Sequence, residues 1–367
     1  VIGVRSAVFA PFTNLGLIII DEGQEASYKQ FEGLRYNARD VALARAKLEK
    51  IKIILGSATP SMEAFYAARK EKFKYIELKY RIEKRPLPDV EIIDMTKADK
   101  ETFSLSKKLL DALKKNISDG YQSLIMINRR GYSPFFICAD CGHSHKCPAC
   151  SITLIYHKDT NTLNCHYCGS YLNPTELCPN CKGTRIKCLG TGTQRVEEEI
   201  RSLIPELAFE RMDRDTTQKK LSHYRIIKQM EEKKIDVLLG TQMVAKGHDF
   251  PDVTLSAVIS ADIALNMPDF RSSERAFQLF TQLAGRSGRG DVPGRAYIQT
   301  YEAEHSVFDY VRNHDYKKFY EREIELRKEL SYPPFGKLLR IIFSFKTKDD
   351  ANKIVKVISN RIKKINH

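Results

Sequence analysis

The chain has 367 residues, 42% of them hydrophobic, with 60 Lys and Arg against 46 Asp and Glu and a formal net charge of +14. Such a length predicts two to four units with sizeable cores, and no run of 18 apolar residues is present to form a transmembrane helix. The basic balance points to a polyanionic partner, most simply nucleic acid, with a solvated surface as the plainer reading.

Residues 1–6 carry neither an initiator Met nor a signal-peptide pattern, and the sequence reads as a domain already under way. The apolar run 15–20 ends in Asp21-Glu22 and predicts a buried parallel strand with acids at its C-terminal edge, where open α/β sheets bind ligands. A helix is predicted over 37–50 and a second strand over 51–55, followed by the turn Gly56-Ser57-Ala58-Thr59-Pro60. Arg85-Pro86-Leu87-Pro88 marks a linker. A further αβ unit follows, with a helix over 104–116 and a strand over 123–127. After a cysteine block at 138–184 the pattern resumes with helix 194–203, strands 236–239 and 253–259, and helix 271–283. Residues 304–328 read as helical, Tyr332-Pro333-Pro334-Phe335 breaks the pattern, and a strand over 337–345 and a basic helix over 350–364 begin another small domain. The resulting domain reading is 1–88, 89–137, 138–184, 185–303 and 304–367.

Eight of the nine cysteines form four Cys-x-x-Cys pairs: Cys138/Cys141, Cys147/Cys150, Cys165/Cys168 and Cys178/Cys181. Paired thiols without a secretory context point to a reducing compartment and to two tetrahedral Zn²⁺ sites. Residues 151–164 read as a β-hairpin, whose ends meet, so Cys147, Cys150, Cys165 and Cys168 share one metal and Cys138, Cys141, Cys178 and Cys181 the other. Sequential pairing is the rival arrangement. All-thiolate, closed sites argue for structure and not catalysis. His143, His145 and His166 are expected at the surface, and Cys188 as a buried free thiol.

Asp21-Glu22 at a strand end suits a Walker B role, Asp21 holding Mg²⁺ through water and Glu22 orienting the attacking water. Gly56, Ser57 and Thr59 of the following turn strengthen this reading. In Gln282-Leu283-Ala284-Gly285-Arg286-Ser287-Gly288-Arg289 the two arginines can reach a γ-phosphate as arginine fingers, with a solvated helix end as the alternative. Gly240 through Phe250, containing Lys246, Gly247 and Asp249, follows a strand and can read nucleotide or DNA backbone. Tyr28, Phe31 and Tyr36 beside Lys29 and Arg35 suit base stacking with phosphate contact, core packing being the alternative for each ring.

These motifs occur in the order found in superfamily 2 helicases. With the cysteine block set between Asn128-Arg129-Arg130-Gly131-Tyr132 and Gly190-Thr191-Gly192-Thr193, the chain closely resembles the PriA family of bacterial replication-restart helicases over nearly all its length, including Asp269-Phe270-Arg271. The resemblance implies two RecA-like parallel-sheet lobes, the first incomplete, an inserted two-zinc ribbon-like module with the nested pairing, and the start of a small α+β domain. It implies a cytoplasmic, nucleoid-associated, ATP- and Mg²⁺-dependent 3′-to-5′ DNA helicase that recognises stalled forks. The implied partners are forked and single-stranded DNA, primosome proteins, the replicative-helicase loader and single-stranded DNA-binding protein. It places Asp21, Glu22, Gln282, Arg286 and Arg289 in catalysis, and Gln24, Gly56, Ser57, Thr59, Lys246, Gly247 and Asp249 at the nucleotide. Arg5, Ser6, Tyr28, Lys29, Arg35, Tyr36, Arg129 and Arg130 are placed at DNA.

Two departures stand out. No Gly-x-x-x-x-Gly-Lys-Ser/Thr occurs; Phe335-Gly336-Lys337-Leu338 lacks the first glycine and the hydroxyl residue. The family's phosphate loop lies upstream of the residue matching Val1, so the chain reads as a fragment that alone does not hydrolyse ATP. The family's Asp-Glu-Glu-His is here Asp21-Glu22-Gly23-Gln24; Gln24 can donate and accept hydrogen bonds but carries no charge. Val4 stands where a Thr is usual. A fork-binding scaffold with a decayed ATPase, and a different superfamily 2 translocase, are the competing functions.

Overall fold

A computed structural model describes residues 2–79, 81, 85–102, 104–127, 135–189, 193–213, 216, 222–245, 249–339 and 354–361. Two compact units are present, residues 1–324 and 325–367.

The first unit opens with β1 (Leu17–Ile20), α1 (Ala38–Leu48), β2 (Lys52–Leu55) and α2 (Met62–Arg69), β1 and β2 pairing in parallel. Side chains of Asn37 and Ser61 accept the backbone N–H of Arg39 and Ala64, satisfying donors that the first turns of α1 and α2 leave free. The parallel pairing follows the sequence, but the expected burial does not. Leu17 and Ile19 are 43% and 64% exposed, and Ile54 is 52% exposed. Among the described residues this sheet has two strands, and only Ile20 of β1 is turned fully inward.

The main sheet draws on β3 (Asp89–Asp94), β4 (Gln122–Ile127) after α3 (Lys107–Ser118), β10 (Phe209–Met212), β11 (Val237–Gly240), β12 (Val253–Ile259) and β13 (Arg295–Thr300). Its order is β10-β11-β4-β12-β13-β3, and every pairing is parallel. Alternate side chains feed two cores. Leu124, Met126, Leu238, Val258 and Ile298 face one, which α5 (Ser222–Glu231), α7 (Ser272–Ala284) and α8 (Val307–Arg312) cover. Ile125, Ile127, Leu239, Ile259 and Tyr297 face the other, covered by α3 and α4 (Thr193–Leu203). Both faces being buried is why β4 and β12 are dominated by apolar residues, and the polar Gln122, Ser123, Thr254 and Ser256 on them are buried as well. Met62 and Phe65 of α2 join the first core, so the opening αβ element packs on this sheet.

Between β4 and α4 the chain leaves through β5 (Phe135–Cys138) and returns through β9 (Ile186–Leu189), an antiparallel pair. This pair carries a three-stranded ribbon, β6 (Ile155–His157), β7 (Thr162–Asn164) and β8 (Tyr171–Leu172). The hairpin expected over 151–164 is thus present, with β8 as an added strand. Cys188 contradicts its expected burial: it lies on β9, whose inward residue is Leu189, and is exposed.

The helical stretch expected over 304–328 divides into α8 and α9 (Tyr316–Glu329), separated by a turn in which His314 takes φ 51°. A short α6 (Asp262–Leu265) precedes α7. Residues 325–367 hold the end of α9, the turn at Tyr332 with a cis Pro333–Pro334 bond, and a helical stretch over 354–361. Of the strand expected over 337–345, residues 337–339 carry no strand and the rest lie outside the described residues. No helix of the described residues is long and apolar enough to cross a membrane.

Candidate functional site: a two-motif cleft and a paired zinc module

The C-terminal ends of β1 and β2 bring Asp21-Glu22-Gly23-Gln24 against the turn at 56–60. Gly56 N–H donates to the Ile20 carbonyl at 2.8 Å and Gly23 N–H to the Gly56 carbonyl at 2.9 Å. The two turns pack closely here, an added Cβ at Gly56 standing 3.4 Å from an Asp21 carboxylate oxygen. Glu22 occupies the left-handed region at φ 47°, a strained conformation for a non-glycine residue of the kind that concentrates at functional sites. Gln24 bridges the two segments. Its Nε2 donates to a Glu22 carboxylate oxygen, and its Oε1 accepts from the Ser57 hydroxyl. Ser57 Oγ in turn accepts the Thr59 N–H at 3.1 Å. The uncharged Gln24 thus ties the 21–24 turn to the 56–60 turn.

From the main sheet, α7 lays a polar stripe on this element. Arg271 Nη2 meets Glu63 Oε1 at 3.0 Å, and buried Glu274 accepts the Met62 N–H at 2.9 Å. Gln278 Nε2 reaches the Thr59 carbonyl at 3.2 Å, and Gln282 Nε2 reaches Glu22 Oε1 at 3.4 Å. Positions 271, 274, 278 and 282 recur at helical spacing on one face. Gln282 was expected among the site residues; Glu63, Glu274 and Gln278 were not, although polar residues at 274, 278 and 282 recur at helical spacing on one face of α7. Just beyond α7, Arg286 Nε donates to the Ala245 carbonyl at 2.8 Å, and burial with the nearby Arg289 charge lowers its pKa. Arg289 Nη1 pairs with Asp249 at 3.2 Å. Lys246 and Gly247 lie outside the described residues.

Of the DNA-contact candidates, Arg129 and Arg130 also lie outside the described residues. Arg5 Nη1 donates to the carbonyls of Ser27 and Lys29 at 3.1 and 3.3 Å, so it braces the aromatic-rich loop; Ser6 is exposed beside it. Tyr28 is half-buried, and its hydroxyl donates to the Asp21 carbonyl at 2.7 Å, tying that loop to the acidic pair. Tyr36 packs edge-on against Phe9 with ring centroids 4.9 Å apart. Lys29, Phe31, Leu34 and Arg35 are exposed at the loop tip, Lys29 lying 5.3 Å over the Phe31 ring.

The cysteines gather as two nested sets, Cys138/Cys141/Cys178/Cys181 and Cys147/Cys150/Cys165/Cys168. The Sγ separations Cys138–Cys181, Cys141–Cys178 and Cys147–Cys168 are 3.6, 3.7 and 3.6 Å. Four thiolates about 2.3 Å from a tetrahedral Zn²⁺ stand roughly 3.8 Å apart, so both donor sets fit the metal. Backbone N–H groups of Tyr167 and Gly183 point at the Cys165 and Cys181 sulfurs, each at 3.4 Å. Burial pushes the Cys138 and Cys150 thiols up to about 12, while the Ser170 hydroxyl draws Cys168 down to about 6. Burial thus opposes ionisation of Cys138 and Cys150, and a bound dication would supply the compensating charge.

The module is seated on the main sheet by polar contacts. Ser144 and Thr153 hydroxyls donate to Asn266 Oδ1 at 2.8 and 2.7 Å, and Asn266 Nδ2 donates to the Asp262 carbonyl at 3.0 Å and to the Glu302 carboxylate. Gly142, at φ 72°, lies so close to Tyr301 that an added Cβ would stand 2.0 Å from its carbonyl oxygen. A cleft of about 930 Å³ opens along this seam, lined by His143, His145, Lys146, Asn173 and His305. His145 contradicts its expected surface position. It is buried in the seam between the module and the main sheet, where its carbonyl takes the Leu154 N–H at 2.8 Å; among the described residues neither ring nitrogen has a hydrogen-bond partner, and burial lowers its pKa. His166 is exposed as expected, and His143 is half-buried.

With this geometry established, comparison with known proteins is informative. A family profile described as the PriA DNA helicase Cys-rich region (CRR) domain matches residues 147–170. A second, the helicase conserved C-terminal domain, matches 175–291. Replication restart protein PriA of Bacillus subtilis is 45% identical over 94% of this chain and 43% of its own length. The protein of the same name from Rickettsia prowazekii is 42% identical over 97% of this chain and 56% of its own length.

The chain belongs to the PriA family.

It spans about half the length of these curated relatives. Among solved structures, RecG bound to a three-way DNA junction aligns over 86% of this chain and 31% of that one, with a TM-score of 0.43 and 14% identity. The PriA resemblance read from the motifs is thus supported by whole-chain identity, and the helicase, zinc-ribbon character of the α/β fold with it.

Proposed function

We propose that these residues form the motor and zinc-bearing part of an ATP-dependent DNA helicase that moves 3′ to 5′, engages stalled or forked DNA and starts replication restart. The single observation that carries this reading is the Gln282–Glu22 contact. It joins the Walker B acid at the end of β1 to the arginine-bearing end of α7, as a nucleotide switch between two α/β elements requires. Glu22 would orient the attacking water and Asp21 would hold Mg²⁺, while Arg286 and Arg289 would meet the developing phosphate charge. Braced by Arg5 and tied to Asp21 through Tyr28, the aromatic-rich loop would present Phe31, Lys29 and Arg35 to single-stranded DNA. Proposed partners beyond DNA are primosome proteins, the replicative-helicase loader and single-stranded DNA-binding protein, and the proposed location is the bacterial cytoplasm. The domain reading 1–88, 89–137, 138–184, 185–303 and 304–367 is retained as part of this proposal.

ATP turnover with and without single-stranded DNA tests the reading in the full-length natural protein that carries these residues. DNA-stimulated turnover should fall by about 10²–10⁴ in Glu22→Gln. Equal turnover in the variant would remove Glu22 from catalysis. The 367 residues alone, which contain no Walker A sequence, are proposed not to hydrolyse ATP; Glu22-dependent turnover by them would show otherwise.

A further inference from the structure

The segment between α6 and α7 is held at both ends by the zinc module and touches the nucleotide-side element in between. Asn266 at its start is fixed by Ser144 and Thr153. At its end, Phe270 N–H donates to the Tyr167 hydroxyl at 3.2 Å. Tyr167 stands between Cys165 and Cys168, its own N–H directed at the Cys165 sulfur, so its position is set by the metal knuckle. Just ahead of α7, Asp269 Oδ1 accepts from Arg271 N–H at 3.0 Å and Asp269 Oδ2 pairs with Arg275 at 2.8 Å. The adjoining Phe270 N–H is taken by the zinc ribbon. Arg271 follows at once, lying 4.2 Å over the Phe270 ring and pairing with Glu63 on α2. It is the first member of the stripe that ends at Gln282 and Glu22.

We propose that Tyr167 is a positioning residue that transmits the metal state of the Cys147/Cys150/Cys165/Cys168 site to the α7 stripe. With the knuckle formed, the Tyr167 hydroxyl holds the Asp269–Arg271 turn, Arg271 stays on Glu63, and Gln282 is kept at Glu22. With the metal lost, the knuckle relaxes, the turn loses its external acceptor and the stripe loosens from its Arg271 end. The structural coupling needs neither nucleotide nor DNA; only its consequence for turnover rests on the motor reading.

The test is Tyr167→Phe in the full-length, zinc-loaded protein, a change of one hydroxyl. Zinc content should stay at the wild-type value. Amide hydrogen exchange without nucleotide or DNA should become about fivefold faster over 269–275 and over the Met62 end of α2, as loss of one hydrogen bond of about 1 kcal/mol implies. Chelating zinc from the wild type should accelerate the same amides, and chelation should add nothing further to them in Tyr167→Phe. Charge reversal Glu63→Arg should mimic the defect, and Glu63→Arg with Arg271→Glu should restore slow exchange. Unchanged exchange at 269–275 in Tyr167→Phe, or acceleration by chelation equal in variant and wild type, would overturn the proposal even if the protein proved an active helicase. Where turnover is present, kcat with DNA should fall several-fold in Tyr167→Phe with the KM for ATP unchanged; a fall traced wholly to zinc loss would also overturn it.

Discussion

Replacing Asn266 by Ala should unseat the zinc module without dismantling either zinc site. The Asn266 amide is 3% exposed, accepts two hydroxyl donors from the module and donates to the Asp262 carbonyl and the Glu302 carboxylate. Truncation removes all four bonds. Each buried polar group left without a partner costs roughly 1–3 kcal/mol. The Ser144 hydroxyl also bonds to Glu302, and the Asp262 carbonyl keeps the Asn266 backbone N–H at 2.9 Å, so the Thr153 hydroxyl is the group orphaned and the seam weakens by roughly 2 kcal/mol. A chain of several units does not unfold in one step, so hydrogen exchange resolved by segment is the suitable assay. Amides at 144–154 and at Tyr301 and Glu302 should exchange about 30-fold faster, with zinc retained. Asn266→Asp keeps the acceptor but sets a carboxylate against Glu302, whose own pKa burial already raises. It should therefore be at least as disruptive at pH 8 and milder at pH 5, where protonation relieves the pair. Exchange within threefold of wild type in Asn266→Ala would refute the view that this amide fastens the module.

Three further outcomes follow from the structure. Gly142→Ala forces a Cβ toward the Tyr301 carbonyl at positive φ, and roughly 2–4 kcal/mol of local destabilisation should appear as faster exchange at 138–146; wild-type exchange there would contradict the close approach. Asp262 is buried with one carboxylate oxygen unpartnered, and burial followed by the Glu302 charge raises its pKa from 3.8 to about 7. The native state then holds a proton that the unfolded chain releases, so stability is full below about pH 4, falls as pH rises toward 7 and levels beyond, by an amount of order 4 kcal/mol. His305, lowered to about 4 by burial, contributes the opposite slope between pH 4 and 6.5. The difference between wild type and Asp262→Asn cancels that term and should shrink from pH 4 to pH 7; parallel stability curves would refute it. Metal analysis should find two Zn²⁺ per chain, and chelation should expose 138–184 to exchange while β4 and β12 stay protected; one zinc, or collapse of the sheet, would contradict the nested sites.

Features set by local sequence were the legible ones. Residues 253–259 form β12 over the range expected, because a strand buried on both faces is mostly apolar, here broken only by the small polar residues Thr254 and Ser256. The nested cysteine pairing followed from a hairpin, since a hairpin brings its ends together. β3 went unread because Asp89-Val90-Glu91-Ile92-Ile93-Asp94 mixes acids with apolar residues at a sheet edge, where only β13 pairs with it. Burial was misjudged where it depends on distant packing: Ile19 looked interior and is exposed, while His145 looked superficial and is covered by the seam. In the site, Asp21, Glu22, Gln24 and Gln282 were singled out by motif spacing, and the structure brings them into contact. Tyr167, Asn266 and Glu63 gain theirs only from the meeting of the ribbon, the α6–α7 segment and α2, which no local pattern encodes.

The central claim is that the Glu22 cleft drives strand separation. Unwinding of a forked duplex under ATP by the full-length, two-zinc natural protein, beside its Glu22→Gln variant at equal fork occupancy, measures this directly. The account predicts strand separation by the wild type, lost in the variant while fork binding persists. Tight fork binding with no strand separation by the wild type would contradict it and identify a fork-binding scaffold.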